Sequence, residues 1–189
     1  MRRLMIDIET IDSAPKAAVI AIGACVFTAD GVQTGDFSVV VNAELAKAYG
    51  TVGEQTMAWW ATQDAGVRER MFSGLLSPYD AAKAFCNYVR ESHVDEVWAN
   101  SPTFDCVILR HLFAQLGMRA PWHFRDERCV RTVYAVGREL GVDFNAGYSE
   151  QGAHDAVVDA RNQARAVGII LKAFADFEEK AWMYEGLES

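Results

Sequence analysis

The chain has 189 residues, of which 51% are apolar, 23% charged and 11% aromatic, a profile that fits one soluble globular domain and excludes a disordered chain. With 18 Lys plus Arg against 26 Asp plus Glu the net charge is −8, which argues against a protein held on duplex nucleic acid mainly by phosphate neutralisation. No uncharged run approaches the roughly 20 residues of a membrane span. The cysteines at 25, 86, 106 and 129 form no CxxC pair and match no zinc template, so Cys25 and Cys106 are expected as reduced core thiols of a cytoplasmic protein.

Along the chain, Leu4 to Ile8 alternates as a short strand ending at an acidic pair, and Val19 to Thr28 reads as a buried strand. Asp30-Gly31 signals a turn, and Asp36 to Asn42 is a third strand; short connections predict an antiparallel meander. Helical spacing follows over Glu54 to Thr62 and over Pro78 to Glu91, where Ala81, Ala82, Phe85, Tyr88 and Val89 recur at three- and four-residue steps. Glu96 to Asn100 is a short strand. Ser101-Pro102 predicts a helix start, with Val107, Ile108, Leu112 and Leu116 facing inward up to Gly117. Arg131 to Leu140 is a further helix, stopped by Gly141. A loop over Asn145 to Ala153 leads to a last helix from Asp155 to Phe174, striped by Ala156, Ala160, Ala164, Val167 and Leu171. The pattern predicts an α/β fold with a mixed sheet covered by helices, one domain over residues 1–176, and an acidic tail over 177–189.

Five residues stand out as a set. Asp7 and Glu9 lie two apart on a strand, so their side chains share a face and repel unless a cation lies between them. Asp105 follows the strand Glu96–Asn100, and His154 and Asp159 flank the start of the last helix. Taken singly, each has an ordinary reading: a strand edge for Asp7 and Glu9, a dipole-stabilising acid for Asp105, a loop histidine for His154, a solvated helix position for Asp159. Together, hard oxygen donors suit Mg²⁺ or Mn²⁺. A nearby histidine with an ordinary pKa around 6.5 suits proton abstraction from water.

In this order and spacing, Asp7-Ile8-Glu9-Thr10, Asp105 after Asn100-Ser101-Pro102-Thr103-Phe104, and His154…Asp159 in H-x-A-x-x-D-A form, the chain resembles the DEDDh 3′–5′ exonucleases of the ribonuclease-T-like superfamily. Ile20 to Ala24, Trp59-Trp60 and the segment Pro121 to Thr132 make it most similar to compact phage and bacterial members. The resemblance implies a ribonuclease-H-like fold, α/β, with a mixed five-stranded sheet in the order 3-2-1-4-5 flanked by helices. It further implies Asp7, Glu9, Asp105 and Asp159 as ligands of two divalent cations, His154 as general base, and release of nucleoside 5′-monophosphates from 3′ ends of single-stranded DNA or RNA. Other readings are a non-catalytic binding module on the same fold and a small dinucleotide or cap phosphodiesterase. No membrane partner is expected, and a homodimer stays open.

Substrate contacts are expected from Thr10, Trp59, Trp60, Gln63 and Phe104, with the aromatic rings as stacking faces for an unpaired base. Adjacent helical tryptophans point about 100° apart, so one of Trp59 and Trp60 is expected in the core. Arg125, Arg128 and Arg131 form a basic cluster from which one can meet a phosphate, most of it being a solvated face. Asp12 is expected as loop surface.

Overall fold

Alternation in the first strand decides the layering. In β1 (Arg3–Thr10), Leu4, Ile6 and Ile8 enter one core and Met5 enters another on the opposite face. The computed structural model describes residues 1–29, 31, 33–146, 148 and 154–185. β2 (Val19–Phe27), buried along its whole length, and β3 (Gln33–Val40) complete the antiparallel meander. At the turn between them Gly31 has φ 72° and its amide donates to the Thr28 carbonyl at 3.0 Å; its expected partner in the turn, Asp30, lies outside the described residues.

The chain then runs through α1 (Ala43–Ala46), α2 (Glu54–Thr62), α3 (Ala65–Phe72) and α4 (Pro78–Ser92) before β4 (Glu96–Ala99) pairs parallel to β1. α5 (Asp105–Gln115) and a 3₁₀ turn (Phe124–Asp126) lead to β5 (Glu127–Cys129), parallel to β4. α6 (Val130–Glu139) and α7 (Ala156–Glu185) follow, and the sheet order is β3-β2-β1-β4-β5.

Phe85 and Val89 of α4 and Ile108, Leu112 and Phe113 of α5 pack on Leu4, Ile6 and Ile8. On the other face Val130 of α6 and Ala160, Ala164 and Val167 of α7 cover Met5, Cys25, Phe27 and Trp98. A further cluster joins Ile11, Ile20 and Val41 to Trp60 and Met71, tying α2 and α3 to the meander. Cys25, Cys86 and Cys106 are buried and free, and Cys129 is half-buried and free. Among the described residues no helix is long and apolar enough to cross a membrane.

Several boundaries differ from expectation. α5 begins at Asp105, because Ser101 forms a turn: its carbonyl accepts from Phe104 and Asp105 at 2.8 and 3.1 Å, and its hydroxyl pairs with that of Thr103 at 2.6 Å. Val107 faces outward while Ile108 and Leu109 are buried. β5 is a three-residue edge strand with Glu127 and Arg128 in it, too short and too charged for its periodicity to show. α7 passes the expected tail boundary at Asp176 and continues to Glu185, and its described side chains end at Phe177.

Candidate active site

Asp7 and Glu9 stand on the same face of β1 as Met5, the face that α7 covers. Gly23 is paired with Asp7 across β1 and β2, and a Cβ there would lie 2.1 Å from the Ala156 carbonyl carbon. The bare backbone at Gly23 and the small side chains of Ala156, Ala160 and Ala164 therefore let α7 lie close to the sheet with its first turn beside the carboxylates.

The loop before α7 ends in a fixed conformation. Asp155 Oδ1 accepts from the Val157 amide at 3.3 Å, which caps the helix, and the Asp159 amide donates to the Asp155 carbonyl at 3.0 Å. His154 adopts φ 63°, and its backbone N–H donates to Asp159 Oδ2 at 3.1 Å. Ligand atoms of Glu9, His154 and Asp159 all lie within 4.8 Å of one another. Asp105, buried at the first position of α5, accepts hydrogen bonds from the backbone amides of Ile8 and of itself, which ties this carboxylate to β1.

The electrostatics follow from crowding away from water. Burial, then repulsion from Asp105, Glu9 and Asp159, holds the Asp7 carboxyl well above the usual carboxylate range, opposed by a hydrogen bond from Gln163. Burial, then Asp159, Asp155 and Asp105, pushes Glu9 up to about 9. Burial raises Asp105 to about 7 against its backbone hydrogen bonds and the Arg131 charge, and burial also raises Asp159 against the pull of His154. A set of desolvated carboxylates repelling one another, with an imidazole among them, is a donor set suited to a hard divalent cation.

A cavity of about 310 Å³ opens beside Asp7, His154 and Asp159, lined also by Asn100, Tyr134 and Gln163. Trp59, which is not among the cavity's lining residues, is 40% exposed and meets the His154 ring edge-on, with centroids 4.9 Å apart.

The expected substrate contacts divide. Trp60 offers no stacking face: it is 1% exposed and its Nε1 donates to the Thr10 carbonyl at 2.8 Å, so it is the core member of the pair. The Thr10 hydroxyl is also taken, donating to the Asp12 carbonyl at 2.6 Å. Gln63 turns its amide back on the end of α2, donating to the Trp59 carbonyl and the Thr62 hydroxyl at 3.2 and 3.3 Å. Phe104 packs half-buried against the core beneath α4 and α5.

Of the arginines, Arg128 pairs with Glu96 at 3.0 Å, Arg125 lies over the Phe124 ring, and Arg131 is exposed with its charge acting on Asp105. Asp12 is a clamp: it accepts from Thr51 Oγ1 at 2.5 Å and from the Ser13 amide at 2.7 Å, joining the β1–β2 connection to the segment before α2. Gln163 and Tyr134 line the cavity without a motif to mark them, while Asn100 stands in the segment that precedes Asp105. The signal for Gln163 was its place four residues after Asp159, on the same helix face.

A family model described as the 3′-5′ exoribonuclease Rv2179c-like domain matches residues 2–171. No curated protein matches the sequence. The nuclease domain of 3′hExo, a DEDDh family member bound to rAMP, is similar at TM-score 0.61 and 12% identity over 91% of this chain and 92% of that one. E. coli exonuclease I in complex with a dT13 oligonucleotide is similar at TM-score 0.68 and 12% identity, over 93% of this chain and 43% of that one. Exonuclease I from Methylocaldum szegediense matches at TM-score 0.63 and 15% identity, over 92% and 43%. The chain thus spans about two fifths of the exonuclease I chains. At these identities the likeness is one of fold, and the sheet order β3-β2-β1-β4-β5 is the ribonuclease-H-like arrangement expected from the motifs.

Proposed function

The chain belongs to the Rv2179c-like family of 3′-5′ exoribonucleases, and from that premise we propose that it removes nucleoside 5′-monophosphates from the 3′ end of single-stranded nucleic acid, RNA first. The observation that carries the reading is the meeting of Glu9, His154 and Asp159 within 4.8 Å, with Asp7 and Asp105 near enough to repel them.

Asp7, Glu9, Asp105 and Asp159 would hold two divalent cations, Mg²⁺ or Mn²⁺. When bound, such a pair supplies a nucleophile at neutral pH and offsets charge on the attacking and leaving oxygens. His154 takes the proton from the attacking water. Its backbone hydrogen bond to Asp159 holds the His154 backbone, which carries the ring, against the first turn of α7. Water oxygen bonds to phosphorus, the bond to the 3′ oxygen of the preceding nucleotide breaks, and that oxygen acquires a proton. Trp59 offers the exposed ring on which an unpaired terminal base can stack. The free buried thiols Cys25, Cys86 and Cys106 support a reducing cytoplasm as the working compartment.

The family description favours RNA, while the exonuclease I neighbour holds a DNA oligonucleotide, so both enter the test. Single strands of RNA and DNA, labelled at either end, are incubated with Mg²⁺, Mn²⁺ or chelator. A 3′ label is expected as mononucleotide from the first time point, a 5′ label as a shortening ladder, with RNA faster and no cleavage in chelator. Blunt duplex should be slower, because a chain of charge −8 has little phosphate-neutralising surface to grip it. Cutting of a covalently closed single-stranded circle as fast as the linear strand would overturn the exonuclease reading.

A further inference from the structure

Asp7 is the carboxylate on which the other acids converge, repelled by Asp105, Glu9 and Asp159. Against that repulsion stands Gln163, whose Nε2 donates to Asp7 Oδ1 at 2.8 Å. Gln163 is 8% exposed and lies four residues after Asp159, so both side chains leave α7 on the face turned to β1. The close approach of α7 over Gly23 brings this face within hydrogen-bonding reach of the strand.

The two ends of the Gln163 amide are treated differently. Its nitrogen is engaged with Asp7, while its Oε1 is buried without a hydrogen-bond partner among the described residues. An orphaned buried acceptor is costly, and an apolar side chain of similar length would fill the same space without that cost. Turning the amide over would set Oε1 against the carboxylate. The nitrogen end is therefore what the position uses.

We propose that Gln163 is a positioning residue for Asp7: by holding Oδ1 it fixes the rotation of the carboxylate and leaves Oδ2 as the oxygen presented to a cation. This rests on the reading of Asp7 as a metal ligand. Hydrogen-bonding partners of metal ligands typically govern affinity or activity by about 10–100-fold.

The test uses the full chain with Gln163→Met, which keeps the length and removes the donor, and Gln163→Asn, which keeps an amide too short to reach Asp7. Mn²⁺ binding is measured by calorimetry, the melting temperature is measured with and without Mn²⁺, and cleavage of a single-stranded oligoribonucleotide is followed across Mn²⁺ concentrations. Both variants should bind Mn²⁺ about 10–100-fold more weakly and need correspondingly more of it for half-maximal cleavage. The rise in melting temperature on adding Mn²⁺ should shrink. Wild-type Mn²⁺ affinity in a folded variant, with only the metal-free melting temperature lowered, would make Gln163 a packing residue and overturn the proposal. If Gln163→Met fails to fold, Gln163→Asn carries the same comparison. A wild-type chain that binds no Mn²⁺ would overturn the metal site itself, an outcome distinct from unchanged binding in the variants.

Discussion

Asp7 and Gly23 face each other across β1 and β2, and the missing side chain at Gly23 is what lets α7 reach the carboxylate. A Cβ at Gly23 would lie 2.1 Å from the Ala156 carbonyl carbon and 2.2 Å from the Val157 nitrogen. Those are backbone atoms of the first turn of α7, the turn that carries Asp159, so the helix start and not a flexible side chain would have to move.

Gly23→Ala is accordingly expected to leave a folded protein with a damaged site. Overpacking typically costs about 1–3 kcal/mol. A displacement of about 1 Å at reacting groups can cost about 100-fold in rate. Turnover on a labelled oligoribonucleotide should fall far more than the melting temperature; equal turnover in the variant would mean that α7 seats on the sheet by other means.

Stability of the metal-free protein should fall as pH rises. Glu9 titrates near 9 and Asp105 near 7 in the folded chain, against 4.5 and 3.8 for the unperturbed groups. The folded state thus keeps protons that the unfolded state has released, and stability declines wherever that holds. The cost is absent below about pH 4 and complete above about pH 9. In chelator, Glu9→Gln should melt higher than wild type at pH 8 and show a flatter pH profile; with Mn²⁺ supplied, it should not cleave. Each kcal/mol regained corresponds to about 2–4 °C for a chain of this size. An unchanged slope in the variant would place the cost on other groups.

His154→Ala should separate proton transfer from metal binding. General-base assistance contributes about 10²–10⁴-fold, so turnover should drop by that order while Mn²⁺ affinity measured by calorimetry stays near wild type. A loss of binding as large as that in Asp7→Ala would make His154 a ligand, which its position within 4.8 Å of Glu9 and Asp159 permits geometrically.

The adjacent tryptophans should respond in opposite ways. Trp60→Ala removes a buried ring and its hydrogen bond to Thr10, for an expected loss of about 3–5 kcal/mol in chemical denaturation. Trp59→Ala removes an exposed ring at the edge of the site and should leave stability nearly unchanged while raising KM, since base stacking is worth about 1–3 kcal/mol. A Trp59→Ala variant with wild-type KM would remove the stacking role.

Much of the framework is local and therefore legible in the chain. Alternation in Leu4 to Ile8 and the unbroken apolar run from Val19 produce β1 and β2, and the helical spacing over Glu54–Thr62 coincides with α2. Of the five residues marked by motif spacing, the fold sets ligand atoms of Glu9, His154 and Asp159 within 4.8 Å of one another, and Asp105, Glu9 and Asp159 near enough to repel Asp7. Local signals failed where a neighbour overrides them. Ser101-Pro102 has the composition of a helix start, yet Ser101 makes a turn that leaves Asp105 at the first position of α5, its carboxylate bonded to the Ile8 amide. β5 exists because β4 offers an edge, since Glu127–Cys129 carries no strand pattern of its own.

Sequence by itself determined which residues are candidates for the chemistry and many of the elements they stand on, because periodicity and motif spacing are properties of neighbouring residues. Only the tertiary structure decided which side chains work as partners. Trp59 and Trp60 are equivalent in a linear reading, and they differ because α2 turns one toward the Thr10 carbonyl and the other toward His154. Gln163 is an ordinary polar helix residue until α7 lies over Gly23 and sets its amide 2.8 Å from Asp7. The raised pKa values likewise belong to the folded state alone, since burial and mutual repulsion arise only when β1, α5 and α7, distant in the chain, close around the same carboxylates.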